Sequence, residues 1–324
     1  MIEYEDMTLQ QIYELGIEMA IEADPRGVGG VKKYLERVKT QYDSLPENKK
    51  KAFDKESLTN PYSDSRIGYG DPKTVVKKAL VGIDGDGTEI LLADRLNQKG
   101  EKIDLVISHH PNGVALAGLH EVLDMQSEMV AKMGVPINVA HSLFQKRKTE
   151  VRGRLSPANH NQSVDTARLL DVPLLWLHTV TDNLVSKFLE DHFEGKEFYS
   201  VGEVLDYVNE IPEFIESTKG KAGPFIASGS ENSRAGKVFA GHNTGGTNGP
   251  KEIYQELAKS GVGTLVEMHV KDDAIKELQK LHINVVDIGH IAADSIGINL
   301  FLDEIEKRGV KIVPFSGLIR VKRK

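Results

Sequence analysis

The stretch DLVISHHPNG, residues 104–113, ends an apolar run in two adjacent histidines and a proline. Leu105, Val106 and Ile107 read as the core of a short strand, and Pro111 stops its continuation because it has no N–H to give a ladder. His109 and His110 are therefore expected on a loop at a strand tip, where open α/β sheets carry their chemistry. Neutral imidazole is the commonest metal ligand, so the question is which other donors reach the same place.

Two further stretches offer donors. In DIGHIAAD (287–294), His290 and Asp294 lie four residues apart where a helix is expected to begin. On a helix that spacing puts a nitrogen and an oxygen donor on one face; the plainer reading is an acid that serves the helix dipole. In HTVTDN (178–183), His178 and Asp182 close another strand. Counting His141 and His269, six of the eleven histidines fall at or just beyond expected strand ends, which converge in a parallel sheet. His160 lies in a polar loop, SPANHNQS. His242 opens GHNTGGTNGP (241–250), whose backbone N–H groups, ahead of a helix starting near Pro250, could hold a phosphate or simply form a turn. The chain has no cysteine, which excludes disulfides, thiolate catalysis and sulfur-ligated metal sites. Nitrogen and carboxylate oxygen are the donors that remain.

The elements that must position these residues alternate. Thr8 is a plausible cap for a helix running to about Ala23, and a second helix covers Val31 to Tyr42. Residues 44–72 are polar and turn-rich and read as a linker. Strands are expected at 77–84, in DLVISHHP, at 135–142 (VPINVAHS) and in VPLLWLHT, with helices at 89–98, 119–133 and from 163. Beyond Val201 come a helix, the strands GPFIASGS and GKVFAGHN, a helix from Pro250 to Lys259, GTLVEMHV, a helix from Asp272 to Lys280, INVVDIGH, a helix from Ala292 to Glu306 and VKIVPFSG. The expected fold is α/β: two halves with mostly parallel sheets flanked by helices, plus a helical N-terminal extension. The expected division is 1–72 extension and linker, 73–182 first half with the His-His pair, and 183–324 second half with His290 and Asp294.

Composition narrows the partners. The 324 residues are 40% hydrophobic and 27% charged, which are globular values and enough chain for a large core. A net charge of −7 argues against a dedicated nucleic-acid binder. The basic clusters KRK (146–148) and RVKRK at the end are expected to be a solvated helix face and a frayed tail. The first residues lack a signal-peptide pattern, and no apolar run approaches the ~20 residues that span a bilayer, so a soluble, cytoplasmic protein without a membrane partner is expected.

With these residues in place, the chain resembles the Nif-three-like proteins, a dinuclear-metal-binding family often labelled GTP cyclohydrolase type two. The likeness runs from about Val75 to Ser316 and rests on DLVISHHP after VGID, on AHS followed by DTARLLDV, and on DIGHIAAD preceded by GTLVEMHV. The resemblance implies His109, His110, His290 and Asp294 as ligands of two divalent metal ions, and a homo-oligomer, since the family assembles into rings of dimers. There are departures. Asp294 stands where the family usually has Glu, and His269 where it tends to have an acid. The family's aspartate four residues after the histidine matched by His141 is replaced by Gln145, so His160, or failing it His178, is expected to take its place. Such a nitrogen-rich set favours zinc, iron, nickel, cobalt or manganese over magnesium.

Two such ions ~3.5–4 Å apart can generate hydroxide at neutral pH and attack a phosphoester, nucleotide or related small substrate, phosphorylated or not. His178 and His269 are the candidate catalytic acid or base. Two alternatives stand beside this hydrolase. One is a non-enzymatic metal-binding or regulatory scaffold. The other is a haloacid-dehalogenase-like phosphatase, because IDGDGTE (83–89) offers Asp84 as a nucleophile and Asp86 as an acid/base after an apolar strand.

Overall fold

The computed structural model describes residues 6–241 and 243–323; His242, at the head of the glycine-rich loop, lies outside them. The described strands are β1 (Ser65–Tyr69), β2 (Lys78–Gly82), β3 (Leu105–Ser108), β4 (Leu174–Leu177), β5 (Phe225–Ser228), β6 (Lys237–Phe239), β7 (Val262–Glu267), β8 (Asn284–Asp287) and β9 (Lys311–Pro314). They form two sheets, in the orders β1-β4-β3-β2-β9 and β5-β8-β7-β6. Within each, the edge strand β1 or β5 is antiparallel and the remaining pairs are parallel. The parallel strands β2, β3, β4 and β8 are short and almost wholly buried, as helices on both faces require. This is the expected α/β architecture of two mostly parallel sheets with a helical N-terminal region.

Register delivers the histidines. Ser108 of β3 is level with Trp176 of β4, so His109 and His110 leave one strand beside the point where His178 leaves its neighbour. In the second sheet Glu267 of β7 is level with Asp287 of β8, so His269 and His290 emerge together. Helices begin at once on two of these tips: His178–Phe193 after β4, and His290–Lys307 after β8. The second of these helices then feeds β9, which returns to the first sheet beside β2.

The N-terminal helix Leu9–Glu22 starts in a capping box between Thr8 and Gln11. Its Leu9, Ile12, Tyr13, Ile17 and Ala20 pack in one core with Leu177, Val180 and Leu184 of the first tip helix region and Phe301, Leu302 and Ile305 of the second. A second core, with Val185, Val286, Ile288, Ala292 and Ile296, lies against the other sheet.

Four sequence expectations change. Residues 44–72 contain β1 as well as turns; Ser65-Arg-Ile-Gly-Tyr has little apolar content and becomes a strand because β4 offers an open edge. Residues 135–142 are not a strand: Ile137–Leu155 is one helix, with Ala140, Phe144, Arg147 and Val151 buried at helical spacing. His141 is thus exposed on a helix and at no strand end. The basic tail is not frayed either. Arg320 pairs with Asp303 and Glu306, Lys322 with Glu306, and Arg323 with the fully buried Glu213. In KRK, Arg147 is buried and Lys148 is paired with Asp124 at 2.6 Å, so only part of the cluster is a solvated face.

The two tip helices touch backbone to backbone. A Cβ placed on Gly297 would sit 2.1 Å from the Thr181 carbonyl oxygen, a contact that only glycine permits. Gly297→Ala is expected to cost about 3 kcal/mol or more, since the obstacle is backbone that cannot rotate away. Gly29→Ala, in an exposed helix with nothing within 4 Å of the new methyl, should instead gain about 0.5–1 kcal/mol. Denaturant midpoints of the two variants check both signs; equal midpoints would remove the close crossing as a constraint.

Candidate metal centre

Three overlapping sets of donor atoms gather at the strand tips. His109, His110 and His178 form one, His110, His290 and Asp294 a second, and His109, Asp182 and Asp294 a third, each with ligand atoms within 4.8 Å of one another. Of the expected ligands, His109, His110, His290 and Asp294 are therefore together, drawn from both sheets. His178 is within the same cluster and not apart from it. His269 stacks on His290, with ring centroids 4.7 Å apart, at the rim. His160 belongs to none of the three sets; its backbone carbonyl accepts from Gly113 N–H at 2.8 Å.

An aspartate other than the one sought near Gln145 joins the cluster. Asp182 follows His178 by four residues on the first turns of its helix, the same spacing as His290 and Asp294 on theirs. Gln145 instead donates to Asp124, from within the helix Ile137–Leu155, and belongs to none of the three donor sets. The match to His141 was thus misplaced, and the repeated His-x3-Asp after a short buried strand was the signal that could have found Asp182.

Outer partners fix which nitrogen of each ring is free. Thr181 Oγ1 donates to the Leu177 carbonyl at 2.6 Å, so it accepts from His109 Nδ1 at 2.8 Å. Asp84 accepts from His110 Nδ1 at 2.7 Å and Asp64 from His178 Nδ1 at 2.8 Å. Asp64 is itself buried and held by Thr179. His109 and His110 then turn an unprotonated Nε2 inward, and the Nε2 of His178 points the same way once its proton is given up, the arrangement that carboxylate and hydroxyl partners impose on metal-binding imidazoles. Asp84 is thereby committed to His110, and Asp86 caps the helix Gly87–Gln98 and binds Asn112. That leaves neither in the role of a phosphatase nucleophile pair.

The glycine-rich loop serves the cluster rather than standing apart from it. Gln126 Nε2 donates to the carbonyls of Thr244, Gly245 and Thr247 at 3.1, 3.0 and 2.6 Å, and Thr244 Oγ1 donates to Asn183. Gly246 N–H is directed at Asp182, and its φ of 84° is one that a side chain would strain.

A cation fits this arrangement. His109 Nε2, Asp182 Oδ1 and both Asp294 oxygens are buried with no hydrogen-bond partner among the described residues, a costly condition for four polar atoms in one place. Ligand atoms ~2.0–2.1 Å from one tetrahedral ion lie about 3.4 Å apart. Here His290 Nε2 and Asp294 Oδ2 are 3.3 Å apart, His110 and His290 Nε2 3.4 Å, His109 Nε2 and Asp182 Oδ1 3.5 Å, and His109 Nε2 and Asp294 Oδ1 3.5 Å.

Electrostatics point the same way. Burial and the neighbouring His178 hold His109 well below the usual histidine range, and burial with His269 pushes His290 down to about 3. Burial lifts Asp294 well above the carboxylate range, with Asp182 adding to the effect, and lifts Asp182 to about 7. His178 goes the other way: against the pull of burial, Asp182 and Asp64 raise it to about 9. Without a countercharge the cluster thus keeps protons on Asp182, Asp294 and His178. A cation needs those groups deprotonated, so protons and metal compete. Affinity for cobalt or zinc should therefore climb steeply from about pH 6 and go on rising to about pH 9, with protons released on binding. Calorimetry in buffers of different ionisation enthalpy measures both; a flat profile with no proton release would exclude Asp182 and His178 as ligands.

The chain is similar to a solved structure described as a NIF3 superfamily protein from Sphaerobacter thermophilus, at 25% identity and a TM-score of 0.74, over 97% of this chain and 99% of that one. Weaker likenesses include a Bacillus cereus protein related to NIF3 (11% identity, 95% of this chain, 96% of that chain, TM-score 0.46). Another is reduced HcgD from Methanocaldococcus jannaschii (14%, 81%, 93%, TM-score 0.49). No protein-family model and no curated protein matches the chain. Likeness over nearly the full length of both chains, with donor sets from both sheets meeting at the strand tips, supports the resemblance of this protein to the Nif-three-like, or NIF3, superfamily.

Proposed function

We propose that the protein is a metal-dependent hydrolase of a small substrate, a phosphoester, nucleotide or related compound. The observation that carries this reading is a cavity of ≈ 290 Å³ that opens directly on the donor cluster. His110, His178, Asp182 and His290 line it, with His269 at the side and Leu116, Leu119 and Met268 as apolar wall. A protein that only stored a cation has no use for a cavity above its ligands, whereas a concave site with convergent polar groups is what a substrate needs.

Asp294 suggests two cations. Its Oδ1 faces His109 and its Oδ2 faces His110 and His290, so one carboxylate looks toward two separate donor groups. One ion would be held by His109, Asp182 and Asp294 Oδ1, with His178 adjoining, and the other by His110, His290 and Asp294 Oδ2. Four imidazoles in the set favour zinc, iron, nickel, cobalt or manganese. Such ions, when bound, supply Lewis acidity and make water acidic enough to react near neutral pH.

The remaining work falls to the chain. Asp84, Asp64 and Thr181 hold the three inward rings in one tautomer. The apolar wall limits water around the substrate. His269 is the proton carrier: its Nδ1 is buried without a partner among the described residues, and burial keeps the ring below the usual histidine range and hence neutral. A neutral imidazole at the cavity side can take a proton from the nucleophile and return it to the leaving group.

His269→Gln is expected to lower kcat by ~10²–10⁴ with metal content unchanged, whereas His178→Gln should lose metal. Elemental analysis beside steady-state kinetics separates the two effects. If the metal-loaded protein turns over no member of a broad phosphoester, nucleotide and amide panel, the hydrolase reading is lost and a metal-binding scaffold replaces it.

A further inference from the structure

Beside the cavity over the donor cluster lies a second one of ≈ 450 Å³, and Asn248, Gly249 and Tyr254 line both. Its far side is built by the helix Ile137–Leu155 and by the first turn of the helix Asp272–Lys280. The charges in it are unbalanced. Lys146 is neutralised by Glu252 at 3.1 Å and Arg147 by Glu150 at 3.3 Å. Arg154, Lys251 and Lys271 come from three different elements, line the recess and have no ion-pair partner among the described residues. Asp273 is the one lining acid left to oppose them. Unpaired like charges gathered around a concave surface repel one another and focus a positive potential, and a bound anion relieves both.

The shared wall links the recess to the reaction site. Arg147, itself buried, donates from Nε to the Asn248 carbonyl at 3.0 Å, and Asn248 Nδ2 donates to the His269 carbonyl at 3.0 Å. Asn248 Oδ1 is buried with no partner among the described residues, an acceptor between the two cavities. The turn is thus anchored from the recess by Arg147, and it anchors His269 in turn.

We propose that this recess binds the anionic end, a phosphate or polyphosphate group, of a small molecule whose other end lies over the His/Asp cluster. Arg154, Lys251 and Lys271 supply the charge, Arg147 holds the wall in place, and Asn248 Oδ1 accepts from a donor on the part of the molecule that crosses it. The enclosed size of the recess suits a small phosphorylated compound and not a macromolecule. That the occupant is a substrate rests on the hydrolase reading; the binding of the anion does not.

The test uses inorganic tripolyphosphate as probe and the full-length protein stripped of metal and freed of chelator. Calorimetry should show binding that weakens as salt is raised, because the contacts are ionic. The triple variant Arg154→Gln, Lys251→Gln, Lys271→Gln, all exposed positions, should bind at least roughly tenfold more weakly with an unchanged circular dichroism spectrum. Metal-free protein that does not bind tripolyphosphate, or a triple variant that binds it as tightly as the parent, overturns the proposal. For any phosphorylated compound that the metal-loaded protein turns over, the same variant should raise KM and leave kcat alone; an unchanged KM overturns the substrate role of the recess. Binding as expected with no turnover of any compound counts against the hydrolase reading and upholds the anion site.

Discussion

The contact between Gly297 and the Thr181 carbonyl governs the rest of the molecule. Two helices that begin on different sheets can approach this closely only where one of them has no side chain. Each carries a histidine at its first residue and an aspartate one turn later. Fixing the crossing fixes where those four side chains meet, and the strand tip bearing His109 and His110 is brought to the same point by sheet register. The N-terminal helix Leu9–Glu22 then closes the back of the pair with apolar side chains, so a helical extension far from the ligands in sequence supports their geometry.

That geometry has a cost which explains its chemistry. Burying carboxylates and imidazoles without hydrogen-bond partners is unfavourable. The protein meets part of the cost with outer contacts: Asp84, Asp64 and Thr181 each bind the far nitrogen of a ring. It leaves the inner atoms alone. A fold that satisfied those atoms internally would be more stable and would have nothing to offer a cation. Burial holds the Asp182 and Asp294 carboxyls toward their neutral forms, and a divalent ion is the simplest species that makes the carboxylates favourable again.

Much of this was legible in the sequence, for identifiable reasons. His109, His110, His290 and Asp294 could be read because the apolar runs before them are short, buried and parallel, which forces their ends to converge. The second His-x3-Asp, at His178 and Asp182, was equally visible, but the family aspartate was sought after His141. That search failed because VPINVAHS was taken as a strand when Ala140, Phe144, Arg147 and Val151 already followed helical spacing. β1 was hidden because its strand character comes from the free edge of β4 and not from its own residues. Asp64, Thr181 and Asn248 act through partners distant in sequence, as do the basic residues of the recess, and no local pattern marks such pairings.

The path of the chain after β8 has one more consequence. The helix His290–Lys307 grows out of the second sheet and hands the chain back to the first through β9. An ion held jointly by His109 or His110 and by Asp294 would therefore rivet two layers that are already joined by a covalent strut. Its free energy of binding would be felt as cohesion between the layers, not merely as local order. Removing it would loosen the seam along its whole length, so the occupied protein should melt as one body where the stripped one has room to come apart in two stages.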